Sequence, residues 1–450
     1  MSNYHLSRFA HFLTKENLVC AYNALTMQSC YFSNEEYNKI LTFLSSEVIL
    51  PDAFSNKELC ASLIENRIIV DGNTDDRHLN IIKQKAFDGV TIRVMIIHLT
   101  DFCNLKCKYC FIEGGINEQY KRQNMTIKTI EKAIDKFFSI LKQYKKEATP
   151  SIVFYGGEPL CNWDVMLHAL RYIDEKKERD VDKILITNAT LFTPTIAAEL
   201  NKYDVHVSIS LDGDECNNMN RIFHDNTPSF SEIIRGLEIL RDASITPSIS
   251  CVLSKENVSN HEQILRFFVE ELRIKALGFN HVSIVPNLTY YDETYENKFA
   301  DALIGVQEII QSEYGDVYER RMNHKINCFL DKQLLRADCT GCGEQMSVSP
   351  NGEIGICQGY MGSRKTFNGT VFEDDYLPKD DPAFIEWSQR SPLTIESCLK
   401  CVALATCGGG CPRNADMLNG SIWNVDTAFC HFAKKAQEWM LWKQAEGKTI

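Results

Sequence analysis

Ile92-Arg-Val-Met-Ile-Ile-His-Leu-Thr100, then Asp101 and Phe102, then Cys103-Asn-Leu-Lys-Cys107-Lys-Tyr-Cys110: the reading of the whole chain turns on this stretch. The run up to Thr100 is apolar enough for a strand of a covered parallel sheet. The run after it is C-x3-C-x2-C, with aromatic Tyr109 just before the last cysteine. Three thiolates are one short of the closed tetrahedral site that structural zinc takes. A [4Fe-4S] cube held by three cysteines instead keeps one iron open to a small molecule, which implies chemistry rather than scaffolding.

Working outward, strands and helices alternate: a helix over 127–144, the strand SIVFY at 151–155, a helix over 163–177, KILIT at 183–187, a helix over 193–202, VHVSISL at 205–211, a helix over 229–242, ITPSISCVL at 245–253, a helix over 258–272, and LGFNHVSIVP at 277–286. Six such βα steps predict a parallel sheet covered by helices and curved into a partial barrel. Active-site residues then belong in loops leaving the C-terminal ends of the strands, where the three cysteines stand. After about residue 325 the alternation gives way to Gly- and Cys-rich segments through Cys430, ending in a helix from Ala428 to about Ala445. Residues 1 to about 80 read as a small module: strand-like runs NLVCAYNAL and SCYF, helices Asn34–Leu44 and Asn56–Ile64, and a strand Arg67–Val70. The expected division is 1–80, a peptide-recognition-like module; 91–310, the barrel; 325–435, a cysteine-rich domain; and 436–450, a helix end and tail.

The chain has 450 residues, 44% of them hydrophobic, enough for an elaborated domain or two to three domains. Its 48 Lys+Arg against 60 Asp+Glu leave a net charge of −12, so neither nucleic acid nor an anionic membrane is an expected partner. The first module has an order of elements like a winged helix, yet its ten acidic residues outnumber six basic ones, and DNA binding needs the reverse. No apolar run approaches membrane-spanning length, and the amino terminus lacks a secretory core, so a cytoplasmic protein is expected. Its 18 cysteines then argue for metal rather than disulfides.

With that motif in place, the sequence resembles the radical S-adenosylmethionine (SAM) enzymes, whose hallmark is C-x3-C-x-aromatic-C after strand one of a (β/α)6 partial TIM barrel. The resemblance covers roughly residues 91 to 290. It implies that Cys103, Cys107 and Cys110 hold a SAM-binding [4Fe-4S] cluster and that Tyr109 belongs to the cofactor site. Gly156-Gly157-Glu158 after strand two resembles the motif for the SAM amino group, with glycines that let backbone carbonyls approach a ligand. Asn188 after strand three matches a ribose-side segment, although Ala189 stands where a glycine is usual; Ser210 and Arg221 resemble the pair that holds the SAM carboxylate. The implied chemistry is one-electron reduction of SAM to a 5'-deoxyadenosyl radical, at a cluster potential on the order of −400 mV or below, which calls for a flavodoxin- or ferredoxin-type reductant.

The C-terminal cysteines resemble the SPASM extension of radical SAM enzymes acting on peptides and proteins. By that resemblance Cys342, Cys357 and Cys411 hold a first auxiliary [4Fe-4S] cluster, with Cys339 as fourth ligand and Cys328 as runner-up, unless one iron stays open; Cys398, Cys401, Cys407 and Cys430 hold a second. A zinc-ribbon pairing of Cys339-x2-Cys342 with Cys398-x2-Cys401 is the alternative. Cys20, Cys30, Cys60, Cys161, Cys216, Cys251 and Cys328 are left, mostly as core residues. His281 and Asn280, at the end of strand six, are expected at the barrel mouth.

The amino-terminal module resembles the winged-helix-like, RRE-like elements that capture leader peptides by strand addition in enzymes that modify ribosomally made peptides. Sulfatase-maturating relatives carry an aspartate base after the cysteine at 357, where this chain has Gln358. The reading is therefore a peptide maturase: hydrogen abstraction from a precursor peptide with a leader, then a thioether or carbon-carbon crosslink. Formylglycine formation or maturation of another protein is the alternative. The residues name no catalytic base.

Overall fold

The computed structural model describes residues 4–116, 120–143, 149–178, 180–285 and 293–448. Residue 144, the expected end of the first barrel helix, and Pro286, the last of the sixth expected strand, lie outside them. Six parallel strands, Val94–His98, Ser151–Tyr155, Asp182–Thr187, Val205–Ser210, Ser248–Leu253 and Ala276–His281, stand side by side in chain order. Helices Ile127–Leu141, Trp163–Lys176, Pro194–Lys202 and Phe230–Asp242 connect them. Local chemistry sets their starts. The Thr126 and Thr193 hydroxyls accept from the N–H groups of Thr129 and Ile196, and Pro194 occupies a first-turn position where no N–H is needed. The fold is α/β, with a six-stranded parallel partial barrel at its centre.

Strand alternation sorts the barrel residues by face. Met95, Ile97, Ile152, Phe154, Leu185, Val207, Ile209, Ile249, Leu277 and Phe279 are buried beneath the helices. Their neighbours Tyr155, Ser208, Ser210, Ser250, Val252 and Asn280 are half-buried and line the lumen. The same period separates Asn280 from His281. Asn280 donates to Ser250 Oγ at 3.1 Å on the lumen face, whereas His281 packs edge-on to Phe299 with ring centroids 5.7 Å apart, under the helices. The expectation that both reach the barrel mouth therefore holds for Asn280 alone, because adjacent strand residues face opposite ways.

The fifth connection, expected as one helix, changes winding: a 3-10 turn Val258–Asn260, an α-turn His261–Arg266, then the π-helical Phe267–Glu271. The wider turn, closed by Leu272 N–H on Phe267 O at 3.1 Å, buries the consecutive Phe267 and Phe268 together.

Beyond the barrel the cysteine-rich region is not structureless. Gln345–Val348 pairs in parallel with Val94–His98, then turns antiparallel through Glu353–Gly355 and Phe367–Thr370. With Tyr318–Glu319 on the far edge, one ten-stranded sheet results. Helices Glu293–Glu313 and Thr427–Ala445 pack on each other beside it. The amino-terminal module is an antiparallel meander, Ala10–Lys15, Leu18–Asn23 and Gln28–Ser33, followed by helices Asn34–Leu44, Lys57–Glu65 and Thr74–Ala86, with Tyr4–Leu6 paired to Ile69–Asp71. One meander face, Val19, Ala21, Cys30 and Phe32, closes the module's own core. The other, with Cys20 and Tyr22, joins the main core, and Tyr31 donates its hydroxyl to Leu441 O at 2.8 Å. Among the described residues no helix is long and apolar enough to cross a membrane.

Candidate active site and its thiol groups

Cys103, Cys107 and Cys110 lie together in the loop after the first barrel strand, each within electrostatic reach of another. Burial is the main reason their thiols are raised, Cys107 to about 11, so ligation rather than free ionisation would put negative charge there. The loop is clamped from two sides. His224 Nε2 bonds the Cys103 carbonyl at 2.9 Å, and Gly157 and Glu158 donate their N–H groups to Thr100 O and Phe102 O at 2.8 and 2.9 Å. A Cβ on Gly156, whose φ is 143°, or on Gly157 would strike the Thr100–Cys103 backbone. These glycines thus admit the cluster loop itself, a packing reason not visible from the motif.

Glu158 is buried with both carboxylate oxygens engaged: Oε1 accepts from Thr187 Oγ1 at 2.7 Å and from Leu160 N–H at 3.1 Å, and Oε2 accepts from Asn188 N–H at 2.8 Å. Burial raises its carboxyl to about 7 against those hydrogen bonds. Asn188 donates to Asn104 Oδ1 at 2.9 Å and to Cys103 Sγ at 3.9 Å. Ala189 sits at φ 63°, the left-handed region that explains why glycine suits the position.

Arg221 is buried, donates to Asp212 Oδ1 at 3.1 Å and stands over the Tyr109 ring at 5.6 Å, while the Tyr109 hydroxyl donates to the other Asp212 oxygen. Asp212 therefore joins the aromatic residue of the cysteine run to the arginine of the fourth strand's loop. Asp212 is not among the residues that the sequence pattern singles out. Arg221 Nε has no partner among the described residues, and half-buried Ser210 ends the adjoining strand. A donor guanidinium, a hydroxyl and three thiols facing one strand-end space fit a carboxylate-bearing sulfonium on a three-cysteine cube.

Two further thiol groups form in the C-terminal region. Cys339 feels the thiols of Cys342, Cys411 and Cys357, after burial, which comes first. Cys430 feels those of Cys407, Cys398 and Cys401, again after burial. Cys328 neighbours Lys325, Asp331 and Asp338 instead. The zinc-ribbon pairing is thus split, with Cys339 and Cys342 in one group and Cys398 and Cys401 in the other. No three His, Cys, Asp or Glu side chains among the described residues are placed to hold a single metal ion. An all-thiol donor set is the soft chemistry that iron–sulfur clusters take. Beside the second group lies Lys325, 1% exposed, bonded to Asp338 at 3.1 Å and to the Cys407 carbonyl at 3.0 Å. Of the leftover cysteines, Cys20, Cys30, Cys60 and Cys251 are buried, but Cys161 and Cys216 are exposed.

The Radical SAM superfamily matches residues 97–268. The radical SAM cyclopropyl synthase TigE of Paramaledivibacter caminithermalis is 25% identical over 95% of this chain and 94% of its own. A cysteine-type anaerobic sulfatase-maturating enzyme of Clostridium perfringens is 25% identical over 70% of this chain and 87% of its own. Among solved structures, native anSMEcpe with bound AdoMet superimposes with a TM-score of 0.67 at 21% identity, covering 79% of this chain and 98% of that one. Streptococcus suis SuiB bound to the precursor peptide SuiA does so with 0.57 at 16% identity, covering 95% and 99%. The cysteine run at the end of the first strand and the partial barrel around it fall within this match, so residues 97–268 are a radical SAM domain, of the superfamily whose members bind SAM and a [4Fe-4S] cluster, and the likeness to TigE extends over nearly the whole chain.

Proposed function

We propose that the enzyme is a peptide maturase that abstracts hydrogen from a ribosomal precursor peptide and closes a crosslink on it. The observation that carries this reading is the position of Tyr155. This lumen residue is within electrostatic reach of Cys110, Cys103 and Cys357 alike. A substrate in the lumen would therefore lie near both the radical-generating group and the first auxiliary group. In this reading Cys103, Cys107 and Cys110 hold the SAM-binding cube, and Tyr109, Gly156, Gly157, Glu158, Asn188, Ser210 and Arg221 shape the SAM site. Cys339, Cys342, Cys357 and Cys411 hold one auxiliary cube, and Cys398, Cys401, Cys407 and Cys430 the other. When bound, the cubes supply the reducing electron for SAM and an acceptor for the surplus one. The protein residues orient both and exclude water.

One likeness supports a peptide substrate, and another bears on the bond. SuiB was solved with a precursor peptide, and TigE is named for closing a cyclopropyl ring, which puts carbon-carbon bond formation ahead of a thioether. In the amino-terminal meander, Ala10–Lys15 pairs with Leu18–Asn23 along one edge, and its other edge suits strand addition by a leader. A flavodoxin or ferredoxin is the expected reductant, and the cytoplasm the expected setting. Anaerobic reconstitution should yield about 12 irons per chain. Incubation with the precursor encoded beside the gene should remove two hydrogens per crosslink; SAM consumption with unchanged precursor mass would overturn the reading. An aldehyde on a sulfatase-type cysteine or serine peptide would replace it with formylglycine formation.

A further inference from the structure

Arg390 is completely buried, against the Cys407–Cys411 loop that joins the two C-terminal thiol groups. Its Nε donates to Ile422 O and its Nη2 to Asn424 O at 3.2 Å, whereas Nη1 has no hydrogen-bond partner among the described residues. Those partners are neutral carbonyls. By contrast, another buried cation of this region, Lys325, has the Asp338 carboxylate. An uncompensated guanidinium in the interior is unfavourable, and neutral thiols do not offset it. Anionic clusters held by the two groups would. Gly409, in the Cys407–Cys411 loop, keeps the space open: a Cβ there would lie 3.2 Å from Nη1. The Arg390 charge is within electrostatic reach of Cys342 in one thiol group and of Cys398 in the other.

We infer that Arg390 is a positioning residue for electron transfer: with the clusters bound, its open Nη1 donates to the Cys342 sulfur, and its charge favours the reduced form of the auxiliary clusters. The inference rests on the cluster assignment made above. The step it governs is simple in balance. After the 5'-deoxyadenosyl radical has taken one hydrogen atom and become 5'-deoxyadenosine, closing the crosslink on the substrate radical releases one proton to solvent or a base and one electron, and an oxidised [4Fe-4S] cluster would accept that electron. A nearby cation stabilises the added negative charge and so raises the potential of the acceptor.

The test is EPR-monitored redox titration of anaerobically reconstituted enzyme, comparing wild type with Arg390→Gln and Arg390→Lys. Arg390→Gln should lower an auxiliary-cluster potential enough to cut the ratio of reduced to oxidised cluster about tenfold at fixed applied potential, 59 mV for one electron. The Arg390→Lys variant should recover part of that shift, and the SAM-binding cluster should not move. With precursor present, Arg390→Gln should keep making 5'-deoxyadenosine while crosslinked product per 5'-deoxyadenosine falls. Unchanged auxiliary potentials in a variant retaining about 12 irons would overturn the inference and leave the maturase reading standing. Wild type that reconstitutes with about four irons would overturn the cluster assignment and this inference with it. Should the Gln variant fail to fold, wild type labelled with 15N-arginine decides: pulsed EPR should detect a 15N coupling on a reduced auxiliary cluster, and its absence would refute the hydrogen bond.

Discussion

At Asp212 a buried carboxylate answers a buried guanidinium and receives the Tyr109 hydroxyl, so one side chain serves the cysteine run and the fourth-strand loop together. Removing it strands Arg221. Asp212→Ala should cost about 3–5 kcal/mol in urea denaturation, far more than an exposed ion pair would. Glu158 yields a pH prediction of definite sign. Its folded carboxyl, at about 7, lies above the ordinary value of 4.5, so the folded state holds the proton more tightly. The stability this contributes is fully present below pH 4.5 and is lost as pH rises through 7. Between pH 6 and 8 wild type should lose about 1 kcal/mol relative to Glu158→Gln, read as converging or crossing melting curves; parallel curves would show that the carboxyl is already ionised. The residue types were legible from the chain, since a Cys-x3-Cys-x2-Cys run needs no structure to be found. Their partners were not. Asp212 and Arg390 look like ordinary polar residues until the fold sets them against Arg221 and the thiol groups.

Among the elements, the contact between the Gly156–Glu158 turn and the Thr100–Cys103 loop is the one most sensitive to a single atom. Gly157→Ala puts a methyl into the Phe102 backbone. Overpacking of that kind costs about 1–3 kcal/mol. The displaced loop should fail to hold its cube, lowering iron by about four per chain. Gly315→Ala, with nothing within 4 Å of the added atom, is the control and should keep full iron content. The six βα steps could be read from periodicity because each strand and helix is long enough to repeat its pattern. Gln345–Val348 could not: four buried residues carry no period, and only pairing with Val94–His98 makes them a strand. The π-helical turn at Phe267–Glu271 escaped for the opposite reason, since its apolar pattern reads as an unbroken helix.

At the scale of the whole molecule, Gln345–Val348 makes the barrel sheet and the cysteine-rich region one body. Val348 lies between Ile97 and Ile354 in the ladder, so proline there removes an interior N–H. Val348→Pro, with every cysteine intact, should lower stability by about 1–3 kcal/mol from the carbonyl left unpaired, before any strain. A melting temperature equal to wild type would mean that the two regions fold independently. The sequence alone determined the alternating α/β plan and the three sets of cysteines, because strand period and ligand spacing are local properties of a chain. Tertiary structure alone decided which thiols share a group, that Asn280 enters the lumen while His281 leaves it, and which buried cations lack a carboxylate. Those outcomes depend on distances between residues far apart in the chain, and local pattern does not encode such distances.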